Sequence, residues 1–316
     1  MGEEKQDKVV VIIGPTAVGK TKLSIELAKA LNGEIISGDS MQIYRSMNIG
    51  TAKVTEEEMD GIPHYMIDIK NPEDAFSVAE FQELVRGHIA DITSRGKLPI
   101  IVGGTGLYIQ SVLYDYQFSD EPGDPVYRKQ LEEVVEEHGV EYIHGKLEEI
   151  DPKSAKRIHP NNVRRVIRAL EIFHTTGQKM SDQLEQQENE LLYDVALIGL
   201  IMDRDLLYSR INLRVDIMMK QGLLEEVKCL YEERIRDCQS IQAIGYKELY
   251  EYFDGEISLE EAVIALKTNS RRYAKRQLTW FRNKMDVKWF DVTSGEKNQE
   301  ILQYTEGKLQ LKANNK

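Results

Sequence analysis

Gly14-Pro15-Thr16-Ala17-Val18-Gly19-Lys20-Thr21 fills every fixed position of the G-x-x-x-x-G-K-[ST] phosphate loop. Its surroundings match. Val9 to Ile13 is an unbroken β-branched run, expected as a buried strand. Thr21 to Leu31 reads as a helix with Leu23, Leu27 and Leu31 on one face. Strand, glycine-rich turn and helix let backbone N–H groups curl around phosphate oxygens, and the helix N-terminus adds positive potential. Lys20 is expected to reach the distal phosphate and Thr21 to hold a Mg²⁺. The loop leaves open which phosphate compound it binds.

Bulk properties narrow the setting. The 316 residues suffice for one large domain or two modest ones, and 41% hydrophobic content supports a proper core. No apolar run approaches membrane-spanning length, and charged Met1 to Lys8 does not resemble a signal peptide. Cys229 and Cys238 are the only cysteines, too few for a disulfide scaffold or a zinc site alone. A cytoplasmic protein is expected. The net charge of −12 argues against non-specific nucleic-acid binding, so a basic face must be local to matter.

Outward from the loop, Glu34 to Ser37 is a short strand that runs into Asp39-Ser40-Met41-Gln42-Ile43-Tyr44. Groups just beyond strand C-termini face the ligand crevice of an open parallel sheet, so Asp39 is expected beside the phosphate loop. Gly61 to Ile69 reads as a turn and a strand, and lone His64 as a packing residue. Ser77 to Ile92 is a helix whose Ser77 and Glu80 have capping-box spacing. Leu98 to Val102 is a strand leading to Gly103-Gly104-Thr105-Gly106, glycines that suggest close approach to a ligand or a tight start to a helix. Asp120 to Leu191 is acidic at first, opens with Pro122, Gly123 and Pro125, and later carries Arg157, Arg164, Arg165 and Arg168. It reads as a helical insert.

Asp194 to Leu200 is the next strand, and Leu206 to Lys220 and Leu223 to Tyr231 are helices. Arg210 and Arg214 are four apart and could clamp a diphosphate together. Leu259 to Lys284 is a long basic helix in an acidic chain, with Tyr273, Gln277, Trp280 and Phe281 between its cations. That contrast is a footprint expected for a nucleic-acid backbone. Val287 to Lys316 reads as two short strands and a turn. The expected fold is α/β: a P-loop NTPase-like parallel sheet with flanking helices (1–119 and 192–316) and a small helical insertion domain (120–191).

Several further stretches resemble the bacterial tRNA dimethylallyltransferase family in order. They are Asp39 to Tyr44, Gly50-Thr51-Ala52-Lys53, Gly61-Ile62-Pro63-His64, Gly103 to Tyr108, Arg157-Ile158-His159-Pro160-Asn161 and Ala274 to Arg282. The chain departs from the family at Asn162-Val163-Arg164, where an Asp-x-Gln/Arg is usual, and it lacks the finger of longer eukaryotic relatives. The resemblance implies transfer of a dimethylallyl group from dimethylallyl diphosphate to N6 of adenosine 37, in tRNAs reading codons that start with U. The loop Gly14 to Thr21, with Arg210 or Arg214, would then hold the donor's diphosphate, with Mg²⁺ on Thr21. Asp39 would take the proton, with Thr105 and Lys20 as the other catalytic groups.

For the tRNA anticodon stem-loop the resemblance implies Asp39, Ser40, Met41, Gln42, Lys53 and Thr105 near the base. It adds Arg128 and Val163, Arg164, Arg165, Val166 and Ile167 in the insert. Lys247, Arg271, Arg272, Lys275, Arg276 and Arg282 complete the set. A monomer without membrane attachment is implied. A P-loop kinase for a small molecule or nucleoside shares the loop, the sheet and a use for Asp39, but leaves the basic helix unexplained. A non-catalytic RNA-binding module explains the helix and leaves the loop idle.

Overall fold

The computed structural model describes residues 6–116, 124–185 and 190–311. The chain folds as two compact units, Met1–Tyr114 with Leu191–Lys316, and Asp115–Glu190.

The larger unit is built on a six-stranded, wholly parallel sheet. In chain order it runs β1 (Lys8–Ile13), α1 (Lys20–Leu31), β2 (Gly33–Gly38), α2 (Glu56–Met59), β3 (His64–Tyr65), α3 (Val78–Ser94), β4 (Leu98–Gly103) and α4 (Gly106–Leu113). The strand order is β3-β2-β4-β1, completed beyond β1 by β5 (Asp194–Ile201) and β6 (Lys288–Asp291). Val9 to Ile13 are all fully buried. Alternation splits them: Val9, Val11 and Ile13 enter one apolar cluster, Val10 and Ile12 the other. A strand buried on both faces is why this run is continuous rather than alternating. Each such side chain contributes about 1.5–3 kcal/mol through burial.

α3 seals one face with Phe81, Val85, Ile89 and Ile92; α1 seals the other with Leu23, Leu27 and Ala28. At the far end of β2, buried Glu34 accepts from Arg95 at 2.7 Å on both oxygens, from Lys97 at 2.6 Å and from Tyr65 at 2.8 Å. The Arg95 bonds hold its carboxyl down at about 2.

The smaller unit is helical. It comprises α5 (Pro125–His138), α6 (Val140–Ile150), α7 (Pro152–Arg157), α8 (Val163–Thr176) and α9 (Met180–Glu185) around Leu131, Ile143, Leu147, Val166 and Leu170. Buried Glu171 accepts from Arg128 and Arg168. Pro122 and Gly123, read as the punctuation before this insert, lie outside the described residues, as does Asp120.

The chain then returns through β5 to α10 (Arg204–Lys220), α11 (Leu223–Glu232), α12 (Tyr246–Phe253) and α13 (Leu259–Lys284). α10 and α13 each bury side chains in both apolar clusters of the larger unit: Val215 and Ile211 from one, Phe281 and Ala274 from the other.

Two segments differ from the sequence reading. The tail has one strand, β6, and then a helix, α14 (Asn298–Lys308). Ile301, Thr305 and Leu309 recur every four residues and are all fully buried, a helical period that decides the element. β3 stops at Tyr65 rather than running to Ile69, because Met66 and Asp68 take positive φ values of 63° and 55°.

Candidate active site

The loop after β1 has the backbone that its glycines permit. Gly14 sits at φ 150°, and a Cβ there would lie 2.8 Å from the Leu200 carbonyl oxygen. Gly19 sits at φ 106° and caps α1 without any side-chain cap, so the first N–H groups of the helix are left for another acceptor. The Lys20 ammonium folds back and donates to the carbonyls of Gly14 (2.9 Å) and Pro15 (2.8 Å).

A cavity of about 1130 Å³ opens on this loop. Lys20, Thr21, Asp39, Gln42 and Arg214 all line it, as do Tyr273, Arg276 and Gln277 of α13. It is the crevice beyond the C-termini of β1, β2 and β4, where an open parallel sheet binds its ligands. Burial pushes the Lys20 ammonium down to about 8, helped by the like charge of Arg214 and opposed by Asp39. Burial also pushes Asp39 above the usual carboxylate range, against the Met41 N–H that it accepts at 2.8 Å and against Lys20. Burial lowers the Arg214 guanidinium too. Two cations and one carboxylate are thus held poorly solvated around a space lined also by apolar Ile211, Val215, Met218 and Leu266.

Hydrogen bonds between separate loops build the side of the cavity around Gln42. Ser40 N donates to the Thr105 hydroxyl at 3.3 Å. Gln42 accepts from Ser37 at 2.9 Å and donates to the carbonyls of Thr51 (3.2 Å) and Ala52 (3.4 Å). Glu226 of α11 holds that second loop. Its carboxylate accepts from the N–H groups of Asn48 and Ile49 (2.8 Å each), from Gly50 N (3.1 Å) and from the Tyr246 hydroxyl (2.5 Å). A Cβ on Gly50 would strike the Tyr246 ring at 2.5 Å. His64 borders the cavity with a ring nitrogen donating to Ile62 O at 2.8 Å.

The glycines after β4 have a cause beyond the two expected. A Cβ on Gly103 would lie 2.3 Å from the Gly38 carbonyl oxygen, one on Gly104 2.0 Å from Gln277 Nε2, and one on Gly106 2.2 Å from the Trp280 ring. Neighbouring strand and α13 side chains occupy that space, and Gly103 and Gly104 also line the cavity.

Other expected residues separate. Arg214 lines the main cavity, but Arg210 lines a second, about 110 Å³, with Lys22 and Glu296. The pair therefore does not converge on one pocket. The buried Lys53 ammonium is committed to Tyr44 O (2.7 Å), Asn48 (2.9 Å) and Asp68 (2.5 Å), so it braces the loop. On α13, Arg272, Lys275, Arg276 and Arg282 are exposed, whereas Arg271 donates to Asn212 at 2.5 Å and Thr268 at 3.0 Å. Lys247 is exposed on α12. In the helical unit Arg164 and Arg165 are exposed and Val163 half-buried. Val166 and Ile167 point into that unit's core and offer no side chain to RNA. Arg128 is exposed and donates to Glu171 at 2.7 Å.

Glu226, Tyr246 and the roles of Tyr273 and Gln277 escape sequence reading. The last two do carry a signal: they are four apart and so share one face of a helix whose other faces are cationic. Glu226 carries none. Burial pushes the Tyr273 hydroxyl up to about 12, with Thr105 and Gln277 as its hydrogen-bonding neighbours.

Comparison with known proteins agrees in one direction. A family model described as IPP transferase matches residues 42–284. The chain is 79% identical over 315 residues to a tRNA dimethylallyltransferase of Bacillus cereus (strain Q1), covering 100% of this chain and 99% of that one. Among solved structures, it resembles the full-length tRNA isopentenylpyrophosphate transferase of Bacillus halodurans at 56% identity and TM-score 0.73, covering 96% and 97% of the two chains. It also resembles a eukaryotic dimethylallyltransferase described as acting on tRNA, at 34% identity and TM-score 0.78, over 91% of this chain and 74% of that one. The family match begins at Gln42, so the Gly14 to Thr21 loop and Asp39 lie before it.

Proposed function

The chain belongs to the IPP transferase family, and from that premise we infer how its cavity acts as a tRNA dimethylallyltransferase. The reaction moves the dimethylallyl group of dimethylallyl diphosphate to N6 of adenosine 37 in tRNA. The observation that carries the reading is that one cavity is lined both by Lys20 and Thr21 of the phosphate loop and by Asp39 and Gln42. A donor and an acceptor can meet there.

The exocyclic nitrogen attacks C1 of the dimethylallyl group, the bond from C1 to the diphosphate oxygen breaks, and the nitrogen sheds a proton. Negative charge grows on the leaving diphosphate. Lys20, Arg214 and the uncapped N–H groups of α1 are preorganised for it in poorly solvated surroundings. The loop thus serves as a P-loop for a prenyl diphosphate. Asp39 accepts the proton. Its raised affinity for protons suits a base, because the adenine amine becomes acidic only as it is alkylated. Thr105 and Gln42 orient the base, which must leave its stack to reach the cavity.

Mg²⁺ fits the donor set only in part from the protein. Among the described residues no three His, Cys, Asp or Glu side chains gather to hold a metal. Thr21 and Asp39 line the same cavity, and Mg²⁺ is commonly completed by phosphate oxygens and water. Thr21 would hold the ion beside the diphosphate, where it supplies positive charge to the leaving group. The exposed cations of α13, with Arg164, Arg165 and Lys247, serve the tRNA backbone.

The test is to incubate the protein with labelled dimethylallyl diphosphate or labelled ATP, with and without tRNA. Label from the prenyl donor alone should enter tRNA at N6 of adenosine 37. Phosphoryl transfer from ATP to a nucleoside would favour a kinase instead.

A further inference from the structure

We propose that Gln277 is the positioning residue that holds the phosphate loop at its working distance from the acceptor turn. The inference rests on reading the cavity as the site of prenyl transfer. Gln277 is buried, with only 6% of its surface exposed. Its Oε1 accepts from Thr16 N at 3.2 Å, and its Nε2 donates to Gly104 O at 3.1 Å. Thr16 belongs to the loop assigned to the diphosphate, and Gly104 precedes Thr105. One side chain therefore bridges the donor's seat and the acceptor's.

The chemistry of the tip is demanding. A backbone N–H needs an acceptor and a carbonyl needs a donor, and a carboxamide offers both from one planar group. Only one orientation of the amide satisfies the two partners. Asn is too short to span them, ionised Glu has no donor, and Met has neither function. The site is fitted to this side chain, since a Cβ on Gly104 would fall 2.0 Å from Nε2. Tyr273, one turn earlier, flanks the amide and Thr105. Gln277 also lines the cavity without being needed for charge. Its effect is geometric. Prenyl transfer requires C1 and N6 to approach in line, and a misplacement of about 1 Å can lower such a rate by about a hundredfold.

The experiment compares wild type, Gln277→Met and Gln277→Glu in single-turnover transfer at saturating dimethylallyl diphosphate and tRNA. Affinities for each substrate are measured alongside. Gln277→Met should slow transfer by about ten- to a hundredfold while both dissociation constants stay within about threefold. Gln277→Glu should be slow at about pH 8 and recover toward wild type at about pH 6, each rate taken relative to wild type at the same pH. The protonated carboxyl regains one donor and one acceptor, and burial beside a carbonyl raises its pKa. If Gln277 only fills space, the Met variant keeps the wild-type rate and the Glu variant shows no recovery; either result overturns the inference. Should Gln277→Met fail to fold, the pH series of Gln277→Glu decides alone. Wild-type protein that moves no prenyl label would overturn the functional reading and this inference with it. Equal wild-type and variant rates overturn this inference only.

Discussion

Asp39 and Lys20 are shifted in opposite directions by the same cause, burial, and this makes their roles separable. Asp39→Asn keeps size and one acceptor oxygen. Prenyl transfer should fall by roughly 10²–10⁴-fold, while donor affinity at fixed Mg²⁺, measured by calorimetry, stays near wild type. Collapse of donor affinity would point to metal binding instead. For Lys20 the pKa of about 8 is that of the site without donor. A diphosphate favours the ammonium, so donor affinity should hold below about pH 8 and weaken as pH rises through it. Proton uptake on binding should appear above that pH, read by calorimetry in buffers of different ionisation enthalpy. The same shift has a stability sign. The folded pKa lies below the ordinary 10.5, so the unfolded chain binds more protons between the two values. Lys20 therefore penalises folding below about pH 8, and the penalty fades as pH climbs toward 10.5. Lys20→Met should abolish transfer while its thermal midpoint at neutral pH holds or rises.

At the scale of elements, α13 explains most of what sequence could and could not reveal. Its start is legible because Ser258 and Glu261 form a complete capping box, and Ala262, Leu266, Ala274 and Phe281 recur on its buried face on either side of the polar stretch Lys267 to Arg272. What it packs against is not legible. Gln277 and Trp280 press into glycines some 170 residues earlier in the chain, and nothing local to either stretch announces the other. The division between Arg210 and Arg214 is hidden for a similar reason: helical spacing puts both on one face, but only the tertiary fold gives each a different cavity. The tail reads as strands in the sequence because the 11-residue helix buries only Ile301 and Thr305 within its length, with Leu309 just beyond its end. A prediction belongs to α13 itself. Replacing Arg272 and Lys275 by neutral residues should weaken tRNA binding and flatten its dependence on salt by about one unit of slope per lost phosphate contact. Dimethylallyl diphosphate affinity should not change. Filter binding over a salt series gives both numbers.

At the scale of the whole molecule, the helical unit has its own core and its own buried charge. Burial raises the Glu171 carboxyl, and hydrogen bonds from Arg128 and Arg168 more than offset it, so it sits below the usual range. Removing both arginines strands that carboxylate. Arg128→Ala with Arg168→Ala should destabilise the unit by about 1–3 kcal/mol, less than for a fully buried pair because both arginines are nearly half exposed. Hydrogen exchange should quicken in α5 and α8, while amides of β1 and β4 keep their protection. The pH dependence has the carboxylate sign: the stabilisation is present above the ordinary carboxylate pKa and is lost as pH falls through the lowered one. An RNA role for Arg128 would have to share this structural one.

The close approach of Gln277 and Trp280 to Gly104 and Gly106 also constrains how this sequence can drift. An added Cβ at either glycine would meet an occupied position, 2.0 Å from Gln277 Nε2 at 104 and 2.2 Å from the Trp280 ring at 106, so a substitution there requires α13 side chains to move. What positions 104 and 106 tolerate therefore depends on residues more than 170 positions away. An alanine at 104 displaces the Gln277 amide or needs a shorter residue at 277, and either way the bridge between Thr16 and Gly104 is broken. The effect of a change at any of these four positions therefore depends on which residues stand at the others.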